Sequence, residues 1–248
     1  MLRYLGLEIR RMFRDRRFVF FTMAIPVVFY LLWSNTFGKG PGTVGHTGLD
    51  AKTYLLVSMA SFGAVGAALT TTGARLAGER QSGWLQQLQV TPLRPWAVIV
   101  VKTLASMFLA LPAIVLVGLA AALTQHVHLS PGEWAAMIGL MWLGTLPFAA
   151  LGTLIGSLVG ADAAHPVTLA CYFGLSILGG LWMPVDSLPK ALRQVSHWLP
   201  SNRFAQLGWS AAGGHTPAAS DGLVLAGWAL VLGILAIAAY RRATVRSR

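Results

Sequence analysis

The sequence predicts an all-α polytopic membrane protein. It has six transmembrane helices, an N-terminal interfacial helix, a short cytoplasmic helix and an external re-entrant helix pair. Three observations carry this prediction. Of 248 residues, 55% are hydrophobic and 11% charged, with mean hydropathy +0.63, whereas a soluble domain carries about 25% charged residues. Six windows hold no charged residue: 18–38, 53–74, 103–132, 134–161, 163–185 and 222–240. Each is near or above the ~20 apolar residues that span a bilayer core as a helix. The cations are also segregated. With six spans and an inner amino terminus, 14 of the 19 Lys and Arg residues fall inside and 5 outside, so the positive-inside rule places both termini in the cytoplasm. The alternation of a β-barrel is absent, and in lipid only helices then satisfy the backbone.

The elements follow in chain order. Residues 1–17 place Leu2, Leu5, Ile9, Met12 and Phe13 at helical spacing, with Arg3, Glu8, Arg10, Arg11 and Arg14 on the other side. This is an amphipathic helix suited to the inner interface and to anionic headgroups. It serves either as a topogenic charge cluster or as a docking element. The spans are expected at 18–37, 54–74, 96–124, 133–159, 166–183 and 221–240. In the first, Trp33 suits an aromatic anchor at the outer interface. In the second, Ala60, Ala64 and Ala68 recur every four residues beside Gly63 and Gly66, a small face that lets helices approach closely. The third holds Lys102 about two turns from its cytoplasmic end. Snorkelling to the interface is the preferred role for this lysine over a proton or ion relay. The fourth carries Gly152, Gly156 and Gly160 at GxxxG spacing, for packing within the subunit in preference to a dimer seam. Residues 184–220 read as external helices: Leu188, Leu192, Val195 and Leu199 form one, and Ser201 caps a second with Phe204, Leu207 and Ala211.

Several functions are excluded. There is no Walker-type phosphate loop, so the chain does not hydrolyse ATP in the P-loop manner. No HExxH or GxSxG motif is present, and no catalytic residue is assigned. His126 and His128 lack a third metal ligand nearby, so no metal site is assigned. The net charge of +11 would suggest nucleic acid in a soluble protein. Here it follows membrane topology, and no nucleic-acid partner is expected. Cys171 stands alone inside an expected span. Carboxylates at membrane depth are nearly missing, which weighs against an ion-coupled secondary carrier.

The informative stretch is the polar island 75–95, between two apolar runs. Arg75, Glu79 and Arg80 open it, Gly83 follows, and Trp84, Leu85 and Leu88 are helically spaced among glutamines. Thr91-Pro92 ends the pattern and Pro95 can open the next helix. On these residues alone the segment is a solvated loop or a short helix with a face for a cytoplasmic partner. The run GERQSGWLQQLQVTPL resembles the cytoplasmic signature of the ABC type-2 exporter permease family, the membrane halves of ATP-driven drug, lipid and polysaccharide exporters. The resemblance implies that 75–95 is a coupling loop whose helix docks on a separate ATPase subunit through Glu79, Arg80, Gly83, Leu85, Leu88, Thr91, Pro92 and Leu93. It also implies that ATP and Mg bind the ATPase while this chain binds no cofactor, and that a second permease copy or a sister permease completes the pathway. A charge-poor, aromatic interior then suits a small hydrophobic or amphipathic substrate, a drug, antibiotic or natural product moved out of the cell. Phe29, Trp33, Met59, Phe62 and Tyr172 are the expected path residues. Lipid, polysaccharide or ion export remains open.

Overall fold

The second span is the axis around which the other helices are arranged. In the computed structural model, which describes residues 2–38, 40, 42–84 and 95–245, the α-helices are α1 (Leu2–Arg14), α2 (Arg16–Phe37), α3 (Ala51–Gln81), α4 (Pro95–Thr124), α5 (Pro131–Gly144), α6 (Leu146–Leu158), α7 (Ala161–Leu178), α8 (Lys190–Ser196), α9 (Pro200–Ala212) and α10 (Ala219–Val245). There are no strands among the described residues, only an isolated bridge between Thr43 and Asp50. Of the most apolar window of α3, 94% is buried, against 17% in α2 and 22% in α10. Helix α3 is therefore sheathed by protein, while α2 and α10 turn most of their surface outwards. Helices α4 and α6 flank α3 most extensively, and α7, α2 and α9 complete the sheath.

Small residues make this close packing possible. A Cβ placed on Gly156 of α6 would lie 2.6 Å from the Gly73 carbonyl oxygen of α3, and one on Gly152 would collide with Thr72 Oγ1. The two backbones touch with nothing between them. Gly63 meets Pro26 of α2 and Gly66 meets the Tyr172 ring of α7. The small faces of α3 and α6 are thus used inside the subunit. Gly160 is not part of this seam, since no heavy atom would come within 4 Å of a Cβ there.

Among the described residues, five segments are long and apolar enough to cross a membrane: Arg16–Phe37, Ala51–Gln81, Trp96–Thr124, Pro131–Leu158 and Ala219–Arg242. The fifth expected span, 166–183, corresponds to α7, which begins five residues early at Ala161. Its first turns contain Asp162, His165 and Pro166, which lower its apolarity, and its 18 residues end at Leu178, just before Gly179 and Gly180. Gly180 has φ +81°, a conformation that favours glycine. The fourth span divides at Thr145. Pro147 in the first turn of α6 has no N–H to continue the α5 ladder, and Thr145 Oγ1 donates to the Trp142 carbonyl at 2.6 Å.

Helix α3 runs 31 residues to Gln81, about 46 Å at 1.5 Å per residue. That is longer than the ~30 Å hydrocarbon core. The apolar run stops at Ala74, but nothing between Arg75 and Gln81 breaks a helix, so the charged turns stay helical. The helix pair expected within 184–220 appears as α8 and α9. Leu199 is the N-cap of α9 with Pro200 in its first turn, so Ser201 is not the cap. Phe204, Leu207 and Ala211 are buried where α9 packs against α5, α3 and α10. We call the end that gathers α1, the C-terminus of α3 and the C-terminus of α10 the basal end, and the opposite one the distal end.

The backbone contact between α3 and α6 makes a direct prediction. Gly156→Val should destabilise the detergent-solubilised protein by about 1–3 kcal/mol or more, as overpacking does. Gly160→Ala should leave the thermal unfolding midpoint close to wild type. Equal midpoints for the two variants would contradict this packing.

Candidate functional site

Two regions stand out, one at each end of the bundle. At the basal end, Lys102 of α4 is buried, 3% exposed. Its Nζ donates to Glu8 Oε1 of α1 at 3.0 Å and to Glu79 Oε2 of α3 at 2.5 Å. One ammonium is shared by two buried carboxylates from two other helices. The second oxygen of Glu79 faces Arg11 at 3.4 Å and Arg75 at 3.9 Å. Arg11 also lies over the Trp84 ring at 5.0 Å, within cation–π range. Beneath the charges, Leu76, Val98, Ile99 and Tyr240 form a small apolar cluster joined by Tyr4 and Trp84. Burial, and next Glu8, hold the Tyr4 hydroxyl above its ordinary pKa. Helices α1, α3, α4 and α10 therefore meet at one knot.

This geometry corrects two sequence expectations. Lys102 does not snorkel to the interface, because its charge is satisfied from within by two carboxylates. Glu79 does not offer an open docking face. It is 5% exposed because the helical continuation of α3 turns it towards Lys102. Arg80 also points into the bundle. Its Nη1 donates to the carbonyls of Gly156 at 2.9 Å and Val159 at 3.3 Å, which satisfies acceptors left open where α6 ends. Gly83, at φ +74°, turns the chain after α3. Leu85, Leu88, Thr91, Pro92 and Leu93 lie outside the described residues.

At the distal end, an apolar cavity of about 480 Å³ opens between α2, α3 and the segment after α7. Trp33 and Phe37 come from α2, Ala51, Tyr54 and Leu55 from α3, Trp182, Met183 and Pro184 from the later segment, and Val44 from the loop above. Of the five expected path residues, Trp33 alone lines this cavity. Phe29, Phe62 and Tyr172 stand behind it in an aromatic stack joined through Trp182. Phe62 stacks on Tyr172 at 4.5 Å, and Trp182 packs edge-on against Phe62, Phe29 and Trp33 at 5.5, 5.8 and 5.9 Å. Met59 is fully buried elsewhere in the core. Sequence spacing missed Trp182, which follows the helix-ending glycines and so shares no period with the other aromatics. Tyr54 fixes the cavity floor by donating its hydroxyl to the Gly180 carbonyl at 2.9 Å.

Neither region assembles a nucleophile with a base. Among the described residues no group of three His, Cys, Asp or Glu could hold a metal ion. What the arrangement can do is mechanical at the basal end and receptive to apolar matter at the distal end.

The family model described as "ABC-2 family transporter protein" matches residues 43–238, from the loop before α3 well into α10. A Bacillus subtilis (strain 168) protein described as "Putative transport permease YvfS" is 29% identical over 230 residues, covering 92% of this chain and 91% of the relative.

The shared lysine yields a thermodynamic prediction. Lys102→Ala strands Glu8 without its ammonium in a buried site, and breaking a buried pair costs about 3–5 kcal/mol. Adding Glu8→Gln to that background should recover part of the loss. A double-mutant cycle read by denaturant unfolding in detergent should show coupling of about 0.5–3 kcal/mol, and strict additivity would dissolve the pair.

Proposed function

Since the chain belongs to the ABC-2 family of transporter proteins, it is the permease part of an ABC transporter, and we propose that it exports a hydrophobic or amphipathic small molecule, such as a drug, antibiotic or natural product. In this reading the basal end is cytoplasmic, with both termini there, in a bacterial-type inner membrane. Two ATPase subunits dock on segment 85–94, with Leu85, Leu88, Thr91, Pro92 and Leu93 as the contact residues. ATP and Mg act on those subunits and supply the free energy. Two copies of this chain, or this chain and a sister permease, pair around the pathway.

The observation that supports this reading most is the position of the Lys102 knot. Segment 85–94 leaves from the end of α3 and returns at the start of α4. Glu79 and Lys102 join those two ends, Glu8 ties them to α1, and Arg80 ties α3 to the end of α6. A displacement of the segment is therefore carried into four helices together. Glu79 and Arg80 act as transmitters, positioned behind the docking surface. The charge-poor core and the aromatic stack of Phe29, Trp33, Phe62 and Tyr172 favour an apolar cargo over a polysaccharide or an ion, which would need polar lining to replace lost hydration. Met59 is placed in the core that supports this stack.

The test separates docking from transmission. A mild-detergent pull-down from native membranes should recover a P-loop ATPase in equal amount with this chain. Leu88→Glu should abolish that recovery. Glu79→Gln should keep the ATPase bound while lowering ATP-dependent export by about tenfold, the rate equivalent of a 1.4 kcal/mol coupling loss. Recovery without any ATPase would overturn the reading.

A further inference from the structure

We propose that α1 carries a site for an anionic phospholipid, with the phosphate over Gly6 between Arg3 and Arg10 and the acyl part covering Leu7. The proposal goes beyond the export reading, because it concerns the lipid that holds α1 and neither the cargo nor the ATPase.

The faces of α1 argue for it. Sequence spacing sets Leu2, Leu5, Ile9, Met12 and Phe13 against the charges, but the bundle takes a different stripe. Glu8 and Met12 are buried, 2% and 1% exposed, and Tyr4 joins the apolar cluster of Leu76 and Tyr240. Arg3, Gly6, Leu7, Arg10 and Arg14 are exposed, Leu7 by 65%. The first four of these, with Ile9, line an open cavity of about 540 Å³. Gly6 keeps it open, since no heavy atom lies within 4 Å of the position its Cβ would take. Arg3 and Arg10 stand about two helical turns apart, one on each side of Gly6. A guanidinium binds phosphate oxygens through two parallel donors, and here two guanidiniums flank one notch.

Charge and apolarity together choose the occupant. Arg11 pairs with Glu79, but Arg3, Arg10, Arg14, Arg16 and Arg17 have no carboxylate partner among the described residues. Asp15 accepts from the Phe18 amide at 3.2 Å and caps α2. The occupant is therefore anionic. Leu7 narrows the choice: a soluble anion or an acidic protein surface would leave an exposed leucine beside the two arginines uncovered, whereas a phospholipid covers both. The placement agrees. Asp15 alone separates α1 from α2, whose membrane-length apolar segment begins at Arg16, so α1 leaves the bundle at the edge of that segment. Phe13, Phe20 and Phe21 are exposed across the junction and extend the apolar surface of Leu7 towards that of the span. The lipid holds α1 from outside while Glu8 holds it on Lys102 from inside, so lipid composition sets how firmly α1 is seated on the knot.

Titration of the full chain with phosphatidylglycerol, read by native mass spectrometry, tests this. Phosphatidylglycerol should be retained well beyond phosphatidylcholine. Arg3→Gln with Arg10→Gln should weaken its retention about 30-fold, from the roughly fivefold that each basic residue contributes beside an anionic leaflet. Gly6→Leu keeps every charge and improves helix propensity, yet should weaken retention to a similar degree by filling the notch. Lys190→Gln, at the distal end, should change nothing. Undiminished retention in Gly6→Leu reduces the effect to diffuse attraction and overturns the site, as does equal retention of the two lipids. Displacement of phosphatidylglycerol by inorganic phosphate would assign a soluble anion instead. A nitroxide on Leu7→Cys, in a Cys171→Ser background and in nanodiscs containing phosphatidylglycerol, should be relaxed by oxygen far more than by an aqueous nickel chelate. The reverse pattern places Leu7 in water or against an acidic partner protein and overturns the lipid. None of these readouts needs the ATPase, so this proposal and the export reading can fail separately.

Discussion

The fold depends on one cation shared by two buried anions. Lys102 sits in an apolar helix, where a lone ammonium would be costly, and Glu8 and Glu79 would each be costly without it. The three residues come from α1, α4 and α3, so none can be satisfied unless all three helices are in place. Such a knot adds little stability beyond what apolar side chains of the same volume would give. What it fixes is geometry. Arg11 and Arg75 on the outer oxygen of Glu79 leave the carboxylate little freedom to turn, and Tyr4, Tyr240 and Trp84 close the space beneath.

Packing around α3 complements that constraint. The knot holds one end of α3, and the glycine seam with α6 holds its length, with Arg80 spanning the two at the end of α6. At the distal end the hold is aromatic: Tyr54 stacks on Trp209 at 4.8 Å and Phe62 on Tyr172. Ionic, backbone and aromatic contacts thus succeed each other along a single helix. A large apolar cavity lies where that sequence ends, beside Tyr54.

Much of the architecture was legible because lipid imposes length and apolarity on whatever crosses it. The N-terminal amphipathic helix, the spans before and after segment 85–94 and the short helix pair before the last span follow from charge spacing and proline placement alone. The end of α3 was not legible in the same way, because hydropathy reports where apolar residues stop and is silent on where helical hydrogen bonding stops. Arg75, Glu79 and Arg80 looked like a surface, and their partners were far away in sequence. A signal was nevertheless present. The chain has eight carboxylates, and a lysine two turns into an apolar helix needs one of them. Glu8 and Glu79 are the ones that topology brings near. Trp182 could not be reached by such reasoning, since its place follows from the turn at Gly180. The break at Thr145 needed the observation that Pro147 stands where an α5 hydrogen bond would have continued.

The near-complete sheathing of α3 bears on how the chain is made. Its buried face is rich in Gly, Ala, Ser and Thr, residues that gain their stability from helix contacts and gain little from lipid. During synthesis α3 leaves the ribosome directly after α2, yet its principal neighbours α4, α6 and α7 are still untranslated. The nascent helix therefore spends an interval in the membrane without its partners and with Glu79 lacking Lys102. Orderly biogenesis requires that interval to be brief or chaperoned, and a substitution on α3 can lower the yield of assembled protein without touching either end of the finished molecule.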